Sequence, residues 1–288
     1  MSWLTGPLWD YAFFRDALAV AILAGGIAGA LGAYVVVRRM SYIAHGLSHA
    51  VLGGAAVAGA LRVNVLLGAG IWAFVSALLI ERVARRRGLY ADTAIGIVTT
   101  ASFAIGIAVI SAAGRWQRNL ESFLFGNVLG VDDTDIVLAV VVAVAVAAVL
   151  IGRYRPLLFV TFDRDVAAIH GVRVDRYEVL FALLLTAGVV ASMRILGVLL
   201  VAAAVVIPPA TARVLTDRFE VLVPLGAALG AASAVPGLYL SWYAGIASGA
   251  AIVLVQAGIL AVAAAVRAGQ ERRRPRRRQR SPAGAVPT

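Results

Sequence analysis

Long apolar runs separated by short arginine-bearing turns set the pattern of this chain. No charged residue occurs from 136 to 152, and none from 195 to 212. A helix rises 1.5 Å per residue, so about 20 apolar residues cross the hydrocarbon core of a bilayer. Taken in order, the pattern predicts nine spans, near 17–37, 43–62, 65–80, 91–113, 136–151, 177–191, 195–215, 221–242 and 251–266. The count is bounded at eight and ten by two irregular stretches, an apolar segment at 122–131 and a sharp turn expected at Ser192-Met193-Arg194.

Basic residues flank spans on the cytoplasmic side. Arg38-Arg39, the Glu81 to Arg87 cluster and the Arg153 to Arg176 segment therefore face inward. The N-terminus falls outside and the C-terminus inside. The chain is expected to be an all-α, polytopic membrane protein: an external segment at 1–16, a transmembrane body at 17–266, and a basic, disordered cytoplasmic tail at 267–288. The first span lacks a basic leader and is too long for a signal peptide, so it is expected to stay.

Several stretches break the regular pattern. The 122–131 segment is too short to span and needs protein to cover its backbone ends. Asp132, Asp133 and Asp135 follow as an acidic outer edge. The seventh span carries Pro208-Pro209, which remove two backbone donors and predict a kink or interruption, with Thr211 placed to satisfy a freed carbonyl. Gly226 and Gly230 stand at the spacing of close helix packing, and Gly245 and Gly249 repeat it. From Phe162 to Gly171 a short amphipathic helix is predicted, with Phe162, Val166 and Ile169 on one face and Gly171 ending it. Such a helix either lies on the bilayer or docks a cytoplasmic partner.

Composition agrees with the membrane reading: 61% of the 288 residues are hydrophobic and 14% are charged, against about a quarter charged in soluble domains. The net charge of +11 is not a nucleic-acid signature, because Arg267 to Arg280 alone holds eight arginines and one glutamate. Beside a final span, that tail fits contact with anionic lipid headgroups. Cysteine is absent, which removes disulfides and thiolate metal sites.

Two of the three histidines, His45 and His49, stand four residues apart at the start of the second predicted span. On a helix they share a face, and two imidazoles so placed can reach one divalent metal. The plainer alternative is packing or a hydrogen bond across helices. Glu81, Asp92 and Glu178 fall at span ends and read as interface anchors, and His170 as a solvated or docking residue. No Ser/His/Asp arrangement, HExxH motif or paired carboxylate supports catalysis. No permanently bound cofactor is expected; the metal is cargo.

Met40-Ser-Tyr42 through Ala50-Val-Leu-Gly-Gly54 resembles the second-helix motif of the metal-transporting ABC permeases of the zinc and manganese uptake group, ABC-3. Ser122 to Gly126 resembles that family's mid-chain Phe-Gly motif, Phe162-Asp163 to Gly171 its segment facing the ATPase, and Ile195 to Arg213 its proline-bearing helix. Leu238 to Tyr243, with Ser248-Gly249, completes the set, which covers roughly 18–266. The resemblance implies the permease of an ATP-driven importer: a homodimer served by an extracytoplasmic metal-binding protein and by separate ATP-binding subunits in the bacterial cytoplasmic membrane. Having no lysine, the chain has no Gly-x-x-x-x-Gly-Lys loop, so ATP hydrolysis falls to a partner. His45 and His49 then become the metal pair, Phe162, Asp163, Val166, Ile169 and Gly171 the ATPase-coupling segment, and Pro208, Pro209 and Thr211 a gating break. Many family members carry an acidic residue at the position of His45, and Asp near that of Gly245. The imidazoles here shift the expected cargo toward zinc over manganese or iron. The rival classes are a secondary metal transporter without an ATPase, which should show two similar halves, and a membrane-embedded enzyme.

Overall fold

The computed structural model describes residues 11–84, 91–113, 124–127 and 130–273. Among them the chain forms eleven helices: α1 (Ala12–Val37), α2 (Ser41–Ala60), α3 (Val65–Ala84), α4 (Ala91–Ala113), α5 (Asp133–Gly152), α6 (Tyr154–Phe162), α7 (Arg164–Ile169), α8 (Val174–Leu196), α9 (Val201–Leu215), α10 (Phe219–Ala244) and α11 (Ser248–Arg273). Eight are long and apolar enough to cross a membrane, and α9, at 15 residues, is a shorter apolar helix. With α9 counted the expected nine is recovered. Arg85 to Arg87, the outer loop from Gly114, Ser122-Phe123 and the tail beyond Arg273 lie outside the described residues. The last helix itself runs on to Arg273, so Arg267 to Arg273 are helical where a disordered tail was expected.

Polar side chains end several helices where the apolar runs stop. Asn64 accepts from the Leu67 amide ahead of α3, and Asp132 and Asp135 form a reciprocal capping box on α5. Two of the acidic edge residues are therefore caps. Arg39 and Arg62 adopt positive φ (57° and 60°) and close α1 and α2, the amides of Met40 and Val63 reaching back to the Val35 and Ala58 carbonyls.

Helix α1 is the central post, packed against α5, α8, α9 and α10. It crosses α10 antiparallel. Phe14 meets Tyr239 and Trp242 at one end, with ring centroids at 5.3 and 5.6 Å, and Tyr34 meets Phe219 at the other, at 5.1 Å. Between these ends the two backbones touch. A Cβ on Gly25 would sit 2.3 Å from the Gly230 carbonyl oxygen, and one on Gly29 would sit 2.1 Å from that of Gly226. The close packing expected of Gly226 and Gly230 is thus present, with α1 as the partner. The Tyr34 end also gathers Arg38, Arg164, Arg213 and Arg267, and this arginine-bearing end is the cytoplasmic one.

The structure moves two expected breaks. Helix α8 continues through Ser192-Met193-Arg194, where Ser192 returns its hydroxyl proton to the Gly188 carbonyl, and it ends only at Gly197 (φ 76°). Helix α9 runs unbroken through Pro208 and Pro209. The prolines deprive the Ala204 and Val205 carbonyls of their usual donors. Thr211 satisfies neither: it donates to Ile207, four residues back, at 2.9 Å. The Val205 oxygen instead meets the Gly32 backbone so closely that a Cβ there would lie 1.8 Å away. Proline here shapes a contact face without interrupting the helix.

The real interruption, Gly197 to Leu200, is stapled at the outer end. Leu199 donates to the Leu124 carbonyl at 3.2 Å, and Ser248 donates to the Ile195 carbonyl at 2.7 Å. Gly249 lies against the Leu196 oxygen, and Gly126 (φ 84°) against that of Ile195. The cover that the Phe125-Gly126 segment needs is supplied by this break. Gly245, paired by spacing with Gly249, does no packing; it ends α10 at φ 64° with open space around it.

Gly29→Ala is expected to cost about 1–3 kcal/mol through overpacking against a backbone that cannot yield. Gly258→Ala, which faces open space, should be neutral or slightly stabilising. Thermal unfolding of the purified variants in detergent checks both.

Candidate functional site

His45 and His49 lie in the first turns of α2, near its cytoplasmic end. The turn at Arg39 starts this helix directly under α1, and Gly46 lets α4 close in on it: a Cβ at Gly46 would lie 2.5 Å from the Thr99 methyl and 2.8 Å from an Ile95 methyl. The two Nε2 atoms are 3.0 Å apart, and the rings stand edge to face at 4.5 Å between centroids. Phe103 of α4 braces His49 at 5.0 Å, also edge to face. The His49 Nδ1 is buried without a hydrogen-bond partner among the described residues.

Both Nε2 atoms thus point at one place. One imidazole can donate to the other, or both lone pairs can turn to a shared cation. Nitrogens 3.0 Å apart subtend about 90° at an ion about 2.1 Å from each. The pair opens into a cavity of ≈ 380 Å³ between α2 and α4, lined also by Tyr42, Asp92, Thr99 and Thr100. Among the described residues no third His, Asp or Glu stands close enough to complete a metal-holding group. The cavity therefore offers two imidazole nitrogens as donors. Sequence reasoning paired the histidines correctly in space but treated Asp92 as an interface anchor, whereas it lines the same cavity. The signal was its place at the start of the helix parallel to α2.

The segment from Phe162 to Gly171 forms two helices where one was predicted. Asp163 leaves helical geometry (φ −154°, ψ 108°), ends α6, and accepts from the Asp165 and Val166 amides at 3.0 and 2.9 Å, capping α7. Gly171 (φ 79°) ends the segment, with its own amide bonded to Ala168 and that of Val172 to Ala167. Phe162 is 62% exposed, Val166 37% and Ile169 83%, while Ala167, Leu157 and Val160 are buried. The apolar face expected from the sequence is thus turned outward. His170 stacks on Phe159 at 5.9 Å and bonds the Val166 carbonyl, so it braces this segment, far from the histidine pair. Pro208, Pro209 and Thr211 lie on α9, where Pro209 packs against Gly32 of α1 and Gly226 of α10.

Beneath the exposed face, Arg38 donates from Nε to the Thr161 hydroxyl at 3.1 Å and lies 4.4 Å over the Phe181 ring. Burial lowers its guanidinium to about 10, so it stays charged at neutral pH. Arg164 pairs with Glu178 at 2.5 Å. Glu178, expected at an interface, is only 8% exposed in this cluster.

With that geometry in place, comparison with known proteins is informative. The model of the ABC 3 transport family matches residues 10–267. The manganese transport system membrane protein MntC of Halalkalibacterium halodurans is 38% identical over 263 residues, covering 91% of this chain and 90% of the relative. The chelated iron transport system membrane protein YfeC of Yersinia pestis is 34% identical over 248 residues, covering 86% and 84%. A solved structure described as PsaBC from Streptococcus pneumoniae in complex with Fab superposes with a TM-score of 0.80 at 32% identity, covering 90% of this chain and 94% of that one.

Removing the α7 cap by Asp163→Ala is expected to cost about 1 kcal/mol locally, read as roughly fivefold faster exchange of the Asp165 and Val166 amides. Hydrogen-exchange mass spectrometry of the 160–172 peptide tests this, with the α5 amides as the unaffected reference.

Proposed function

The chain belongs to the ABC 3 transport family, as a multi-pass membrane subunit distinct from the ATPase, and from that premise we propose that it imports a divalent metal ion of the manganese and iron class into the bacterial cytoplasm. The observation that carries the proposal is the convergence of two Nε2 atoms, 3.0 Å apart, on an open cavity between two apolar helices. The relatives named above carry manganese or iron in their names, and nothing in them supports the zinc preference that the imidazoles alone suggested. Membership in an ABC family replaces the reading as a secondary transporter without an ATPase.

A polar cavity on the flank of a membrane helix is costly if it faces lipid. His45, Asp92 and Thr100 are exposed on that flank in the single chain. A second copy facing it turns two half-sites into one path and supplies the missing ligands, with water completing the sphere. Low ligand number suits passage, since an ion held too tightly does not leave. A binding protein delivers the ion at the outer end, and an ATPase subunit engages Phe162, Val166 and Ile169, whose exposed apolar surface at the cytoplasmic end has the character of a docking face. Closure of the ATPase then moves the helices between outward-open and inward-open arrangements.

The test is uptake into lipid vesicles by the permease with its ATPase and binding protein, comparing manganese, iron(II) and zinc. His45→Ala with His49→Ala should lower manganese uptake at least about tenfold while the dimer still assembles, since even an outer partner of a ligand is worth that much. Uptake equal to wild type would end the histidine site but leave the transporter. Phe162→Asp with Ile169→Asp should release the ATPase subunit during co-purification; full retention would remove the docking role of that face.

A further inference from the structure

Glu178 occupies an unusual position for an acidic residue in this molecule. It stands on the second turn of α8, only 8% exposed, yet its carboxylate is held at 2.5 Å by Arg164, the first residue of the exposed α7. The Glu81 carboxyl near the end of α3 lies within hydrogen-bonding reach, so that the two acids share a proton, and Arg38 at the end of α1 adds a second positive charge nearby. Arg38 in turn holds α6 through Thr161 and stacks on Phe181, one turn beyond Glu178 on α8. Four elements therefore meet at one buried carboxylate: the docking segment, α1, α3 and α8.

The connection continues inward. Helix α3 packs along α2, with Gly54 so close to Trp72 that a Cβ there would lie 2.3 Å from the Trp72 Cβ, and Gly68 as close to Ala58. Helix α2 carries the histidine pair. A push on α7 thus reaches α3 and α8 through an ion pair whose glutamate end is buried while Arg164 is 61% exposed, and reaches α2 through tight packing. The apolar contacts of α7 offer no comparable hold, since among its six residues only Ala167 is buried.

We propose that Glu178 is a positioning residue that couples the docking segment to the metal path: Arg164 pulls on Glu178, and Glu178 with Glu81 moves α8 and α3 as one. The inference rests on the reading of Phe162, Val166 and Ile169 as the ATPase-docking face. Loss of the charge at 178 leaves that face in place but slackens its link to the membrane helices.

The test reads metal moved per ATP hydrolysed, with the full permease in lipid vesicles together with its ATPase subunit and manganese-loaded binding protein. Glu178→Gln should keep the ATPase subunit bound and the unfolding midpoint near wild type, yet lower the metal-to-ATP ratio about fivefold. Exchanging the pair, Arg164→Glu with Glu178→Arg, should recover much of that ratio. An unchanged ratio in Glu178→Gln overturns the inference, as does a fall that merely follows loss of the ATPase subunit or of the unfolding midpoint. Should Glu178→Gln fail to assemble, Arg164→Gln carries the same test from the exposed side, and a normal ratio there overturns the inference equally. If Phe162→Asp with Ile169→Asp keeps its ATPase, the docking reading itself is wrong and this inference falls with it. If that variant releases the ATPase while Glu178→Gln transports normally, only the role of Glu178 is refuted.

Discussion

Apolar helices in lipid gain little by exchanging a lipid neighbour for a helical one, so association depends on how closely their backbones can approach. Here that approach is concentrated on α1. Gly25 and Gly29 bring α10 to main-chain contact, and Gly32 does the same for α9, where the Val205 oxygen would meet any larger side chain. Every other helix is arranged around that post or around helices that touch it. The constraint also explains how two adjacent prolines survive inside a continuous helix. A carbonyl without its donor is costly in hydrocarbon, but one pressed onto a glycine backbone is shielded and weakly bonded through Cα–H.

The two ends of the bundle are built differently. At the outer end Leu124 to Gly126, Ile195 to Leu199 and Ser248-Gly249 interlock through main-chain atoms and the Ser248 hydroxyl, so three stretches far apart in sequence behave as one plate. At the cytoplasmic end the contacts are made by side chains, Arg38 on Thr161 and Phe181 and Arg164 on Glu178. Side-chain contacts tolerate adjustment in a way that interlocked carbonyls and glycines do not. An alternating-access cycle driven from the cytoplasm is consistent with that difference.

Much of this was legible in the chain. Hydropathy placed the spans because lipid imposes length and apolarity on each helix separately, and the arginine turns oriented them. Four-residue spacing put His45 and His49 on one face because a helix leaves no other choice. The misplacements share a cause. Pro208-Pro209 and Ser192 to Arg194 look like breaks locally, yet the neighbouring helices decide: Gly32 accommodates the prolines, while Leu124 and Ser248 hold the chain open at Gly197. Asp92 joined the cavity, and Glu178 the buried cluster, through contacts between helices that no single-helix periodicity encodes. Asp163 split one predicted helix into two because a capping aspartate outweighs continued amphipathic periodicity.

The fifteen residues of α9 also bear on how the protein is made. At 1.5 Å per residue such a helix covers about 22 Å, short of a hydrocarbon core of about 30 Å. Its Val205 carbonyl is pressed against Gly32, and its faces pack mainly on α1, α10 and α11, with smaller contacts to α2 and α8. As it leaves the ribosome, α10 and α11 do not yet exist. Helices α1, α2 and α8 already stand in the chain to receive α9, and its packing is completed only when the next two spans arrive. A ribosome stalled just after Thr216 would leave α9 with part of its packing surface unmet.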